Sequence, residues 1–212
     1  KSGTNSYMGS VYTYYNNQNM YGSTAGRNVA NRSKLDAQTT QIYGFTLGGP
    51  IVKDKLFFFI SGEYNRELSP SAFYAGFNGS LLEDDELKRI SNRYFQLTGY
   101  DGGGVGRRDV LQRSVSAMAA LDWHINSKNH LSLSYSLLDA RAEEYANSLT
   151  TFTFCGSGYA NFSTAHYVAA TLESRLSDNL HNTLRVGYSR VGDGRDADVE
   201  GDFPSVIIKN AG

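Results

Sequence analysis

Leu131-Ser-Leu-Ser-Tyr-Ser-Leu137 alternates apolar and hydroxyl side chains residue by residue. Successive side chains of a strand point to opposite faces, so this stretch predicts a β-strand with one apolar and one polar face. The same period recurs on both sides of it. Upstream, Val115, Ala117, Ala119, Leu121 and Trp123 share one face, and Ser116, Met118, Asp122 and His124 share the other. Downstream, Val168, Ala170, Leu172 and Leu176 oppose Thr171, Glu173 and Arg175; then Leu184, Val186 and Tyr188 oppose Thr183, Arg185 and Ser189. Further upstream, Leu56, Phe58, Ile60 and Tyr64 face one way and Phe57, Phe59, Ser61, Glu63 and Asn65 the other. Two aromatic and glycine-rich windows, Tyr7 to Asn16 and Gln41 to Ile51, complete seven predicted strands.

The connections alternate in length in step with the strands. Val52-Lys-Asp54, Asn126-Ser-Lys-Asn129 and Ser177-Asp-Asn179 have the polar residues of tight turns, whereas the connections at about 18–39, 67–113 and 139–163 are long. Short turns on one side and long loops on the other are the habit of outer-membrane barrels. Tyrosines and other aromatics near the strand ends (Tyr12, Tyr14, Tyr15, Tyr43, Phe45, Trp123, Tyr188) suit girdles at lipid–water boundaries. The expected fold is therefore all-β: an antiparallel up-and-down transmembrane β-barrel segment, about seven strands of a larger barrel, with long extracellular loops. The bland alternative is an ordinary soluble β-sandwich. In the longest loop, Leu87, Ile90, Tyr94 and Leu97 recur at helical spacing behind the acidic run Glu83 to Glu86, which predicts a short helix over 82–97. The glycine-rich stretch Gly99 to Arg108 is expected to be irregular or mobile.

Composition supports a β-rich chain and excludes several functions. The 212 residues include 15 Tyr, 11 Phe and 22 Gly against 3 Pro and 1 Trp. A net charge of −1 supplies no basic field for neutralising phosphates along a nucleic acid. The single cysteine, Cys155, allows no internal disulfide. No apolar run reaches the length of a membrane-spanning helix, and Lys1 to Asn5 does not resemble a signal peptide. A barrel strand needs only about 9 to 11 residues, half of them free to be polar.

Particular residues resemble a known family. Lys1-Ser-Gly-Thr-Asn5, then Tyr7-Met-Gly-Ser-Val-Tyr12, then Tyr43-Gly-Phe-Thr-Leu-Gly-Gly-Pro-Ile-Val-Lys-Asp-Lys-Leu-Phe-Phe-Phe59 look like the start of the barrel in Oar-like TonB-dependent receptors. Leu121-Asp-Trp-His-Ile-Asn-Ser-Lys-Asn-His-Leu131 resembles that family's strand, periplasmic turn and strand. The resemblance implies a Gram-negative outer-membrane location, contact with outer-membrane lipid, and uptake or export of an unknown bulky solute or peptide. It also implies a carboxypeptidase-regulatory-like domain, a plug carrying the TonB box and a barrel of about 22 strands. On that reading residues 1–212 are a partial barrel domain. The plug and the remaining strands lie outside it, and the TonB complex is engaged only through the absent plug. A second expectation is an adhesion or secretion-partner protein acting through its extracellular loops.

Candidate sites follow from the same alternation. Glu63, Asn65, Asp122, Glu173, Arg175 and Arg185 are expected to line a solute path on the lumen face, where polar side chains must point in any case because lipid rejects them. His124, His130, His166 and His181 lie in or beside strand ends without a hydrolase motif, so no catalytic role and no cofactor is expected. His124 and His181 are placed towards the lumen, and His130 in a turn. Cys155 reads as a loop thiol. Asp193, Asp196, Asp198, Glu200 and Asp202 form an acidic run that offers oxygens for Ca²⁺ but lacks EF-hand spacing; an acidic, solvated extracellular loop is the favoured reading, and no metal is expected. Gly102 to Gly106 has no strand-to-helix frame for holding phosphate.

Overall fold

The computed structural model describes residues 4–22, 36–71, 73–74, 83–104, 106–145, 147–148 and 151–197. Seven strands run in chain order: β1 (Met8–Asn17), β2 (Thr39–Val52), β3 (Leu56–Pro70), β4 (Asp109–Asn126), β5 (Asn129–Glu144), β6 (Tyr159–Ser177) and β7 (Leu180–Ala197). Each pairs antiparallel with the next, giving one sheet in the order β1 to β7. Helix α1 (Asp84–Thr98) lies in the connection between β3 and β4.

Register fixes the faces, because residues paired across an antiparallel ladder point the same way. One row runs Leu56, Trp123, Leu131, Leu172, Leu184; the next outward row runs Phe58, Leu121, Leu133, Ala170, Val186. A third runs Leu47, Ile60, Ala119, Tyr135, Val168, Tyr188. The period-two faces of the sequence are thus in phase over the whole sheet. Many of these side chains stay open: Leu133 is 41%, Val168 45% and Val186 59% exposed. Among the described residues the buried apolar side chains are Phe57, Leu87, Tyr94 and Ala160. All seven described strands belong to one sheet in chain order, the up-and-down arrangement rather than the two sheets of a sandwich, and its apolar face is suited to lipid.

On the outward face of β3, Leu56, Phe58, Ile60 and Tyr64 form the main apolar run, and beyond Arg66 the register pair Leu68 and Leu111 is apolar again. The Tyr64 row continues through Val115, Asp139 and Thr164 to Gly192.

All three short turns share a construction. An extra residue bulges from the first strand just before each turn: Ile51, Ile125 and Leu176. Bulges concentrate at barrel rims, where they re-aim a side chain. Here the re-aimed residue is aliphatic each time and continues the outward face of its strand. In the β2–β3 turn Asp54 adopts φ 60°, a conformation that Asp tolerates better than most residues. Asn5 holds it by accepting from the Asp54 amide at 2.9 Å and donating to the Asp54 carboxylate.

The strands run further than the alternation reaches. β3 continues to Pro70, β4 starts at Asp109, β5 continues to Glu144 and β6 starts at Tyr159. The long connections therefore shorten to 18–38, 71–108 and 145–158. Two of them build a small cap. Leu87 and Tyr94 of α1 are buried. Tyr94 packs on Tyr100 and Phe154 with ring centroids 6.2 and 5.6 Å apart. Gly99 ends the helix in a left-handed conformation, φ 70°, and donates to Phe95 O at 2.7 Å. The glycine stretch is irregular but anchored: Gly102 lies under Phe154, and its carbonyl accepts from the Gly156 amide at 2.8 Å.

Candidate functional site

The six expected path residues all lie on the polar face of the sheet, and they fall into two zones. At the short-turn end, Asp122, Ser132, Thr171 and Arg185 form one row across β4 to β7, and His124, His130, Glu173 and Thr183 form the next. Ser132 donates to the Asp122 carboxylate at 2.7 Å. His130 Nε2 lies 3.4 Å from Asp122, and its Nδ1 lies 3.8 Å from Glu173. The His124 and His130 rings are 4.7 Å apart, with Phe57 edge-on to His124 at 5.8 Å. Arg175 is paired with Asp178 of the following turn at 2.7 Å, and His181 faces Arg175 across the hairpin. His130 is thus the second residue of β5 and part of the polar face, not a turn residue.

At the loop end the zone is built differently. Tyr12 crosses Gly44 to donate to Glu63 at 2.6 Å, spanning β1 to β3. Asn65 shares a row with Ser114, Ala140, Ser163 and Asp193. Its amide oxygen is shielded from solvent without a hydrogen bond. One row higher, Arg195 donates to Asn161 at 3.1 Å and lies over the Tyr159 ring at 4.8 Å. Sequence reading missed Tyr12, Asn161 and Arg195 as members of this face, because their phase is set by register beyond the alternating windows.

Between the zones the face is mixed: one row carries Met118, Ser136, Tyr167 and Ser189, and the other begins with Phe59 on β3. Ala120, Ser134, Ala169 and Gly187 form a continuous row of small side chains at mid-height.

The acidic run resolves differently from the loop expected. Asp193 and Asp196 belong to β7, and three residues apart on a strand they point to opposite faces. Asp196 is committed to Arg141 at 2.8 Å on the outward face. They cannot share one Ca²⁺, and Asp198, Glu200 and Asp202 lie outside the described residues. His166 also faces outward, its Nδ1 2.9 Å from Tyr135 Oη. The backbone of Cys155 opens the 3₁₀ turn Cys155–Ser157.

Residues 1–78 match the family model described as an outer membrane beta barrel domain. The matched region contains β1 to β3, and β4 to β7 continue the same sheet in unbroken antiparallel order. No curated protein and no solved structure matches the chain. The up-and-down ladder, the outward apolar band and this match define an outer-membrane β-barrel protein, located in the outer membrane.

Proposed function

We propose that this chain is a wall of a TonB-dependent, Oar-like receptor that moves a bulky polar solute along its inner face. The observation that carries the reading is the inner face itself: two polar zones, Asp122/His130/Glu173 and Tyr12/Glu63/Asn65, flank a row of small residues. Large inward side chains would fill a narrow barrel. A row of small side chains at mid-height suits a wide one that must admit a plug or a passing solute. The resemblance of Tyr43 to Phe59 and of Leu121 to Leu131 to Oar-like receptors supports the same reading.

Uptake tests it. Cells lacking the gene and cells with inactivated TonB are supplied with defined mixtures of peptides and oligosaccharides, and the medium is analysed over time. The reading expects the same solutes to persist in both cultures. Depletion unchanged by loss of the gene, with surface attachment reduced instead, would favour the adhesion or secretion-partner alternative. A specific observation keeps that alternative in view: Phe95 and Leu97 of α1 are 53% and 69% exposed.

A further inference from the structure

On the outward face, one row beyond Tyr64 and one row short of the pair Leu68 and Leu111, three arginines stand side by side. Arg66, Arg113 and Arg141 are register partners across β3, β4 and β5, one row beyond Tyr64, Val115 and Asp139. Gln41 and Tyr15 extend the same row on β2 and β1. Like charges placed directly opposite on neighbouring strands repel, since their Cβ atoms lie only about 4.5–5.5 Å apart. Arg141 is compensated by Asp196 at 2.8 Å. Arg66 and Arg113 have no acidic partner among the described residues. The other outward acids nearby are already engaged: Asp139 accepts from Thr164 at 2.9 Å, and Glu143 accepts from the Leu111 amide at 3.0 Å.

We infer that Arg66 and Arg113 form a clamp for the phosphorylated headgroup of a lipid in the outer leaflet. An anion between the two guanidinium groups turns their repulsion into attraction, and the planar fork of arginine matches phosphate oxygens in pairs. Position selects a lipid over a soluble anion. The side chains point outward, on the face that carries the apolar band, one step above the aromatic boundary set by Tyr43 and Tyr64. At that height outward groups meet headgroups, while acyl chains lie against Val115 and Leu121 below. Arginine stems reach such a layer without drawing the strand out of register. The clamp depends on the outer-membrane placement of the sheet and not on the transport reading.

The test uses the protein extracted from outer membranes in mild detergent. Native mass spectrometry compares retained lipid in the wild type, in Arg66→Gln/Arg113→Gln and in Arg89→Gln/Arg93→Gln, which removes equal charge from exposed α1. Phosphorylated lipid A, its dephosphorylated form and inorganic phosphate are then added back. The clamp predicts that the first double variant, still heat-modifiable on gels, retains phosphorylated lipid A about tenfold less tightly. The α1 variant and the dephosphorylated lipid serve as the unaffected and the unbound arms. Equal retention by all three proteins, or inorganic phosphate competing as well as the lipid does, would overturn the proposal.

Discussion

Glycines in this sheet mark where aromatic rings cross the ladder. Tyr12 lies over Gly44, Phe45 over Gly62, Phe59 over Gly48 and Phe162 over Gly194, each across a direct register pair. A ring laid over glycine shields the backbone and pins the register, which a flat polar strand would otherwise let slip. A Cβ on Gly62 would lie 2.7 Å from Phe45 Cε1. Gly62→Ala is therefore expected to destabilise the folded barrel by about 1–3 kcal/mol, measured by urea unfolding in lipid vesicles. Adding Phe45→Leu should return part of that loss; strictly additive effects would show that the ring and the glycine are not coupled. None of these pairs is legible in the sequence, because the glycine and its ring are between 11 and 32 positions apart in the chain and only the register joins them. The alternating windows, by contrast, were readable directly, since lipid imposes its demand on each outward residue separately.

Elements show where that legibility stops and why. The period of Leu131 to Leu137 reports the part of β5 in contact with lipid, but the ladder continues to Glu144. Above the band, outward residues such as Asp139 and Arg141 meet headgroups and water, so the hydrogen-bonded strand persists after its hydropathy signal has ended. For the same reason Asp193 and Asp196 looked like loop residues and are strand residues. Helix α1 was readable from Leu87, Ile90 and Tyr94, yet its docking partner Phe154 belongs to another connection. Asn5 makes a comparable distant contact with Asp54, and Asn5→Ala is expected to loosen the β2–β3 turn, seen as faster amide exchange at Asp54 and Lys55. Phe154→Ala should uncover Gly102 and release the cap. Limited proteolysis of intact cells should then cut within 99–108 or 145–158 faster, with heat-modifiable migration unchanged. Cleavage no faster than in the wild type would mean that α1 is held by other contacts.

At the scale of the molecule, the ladder is open at two edges. The described strands leave β1 and β7 each with one unpaired side, and an outer-membrane barrel tolerates no free edge in lipid. Expressed as these residues alone, the chain should associate through those edges in detergent and sediment as species heavier than 23.3 kDa. A monodisperse monomer would mean that the edges are covered from within. The central claim, however, is that one face of every strand meets lipid and the other water. Single spin labels placed in turn at positions 132 to 137 of β5, in protein whose Cys155 is replaced by Ser and reconstituted in vesicles, test it directly. Labels at Leu133, Tyr135 and Leu137 should relax with oxygen, and labels at Ser132, Ser134 and Ser136 with a water-soluble nickel complex. Uniform accessibility, or alternation in the opposite phase, would contradict the account.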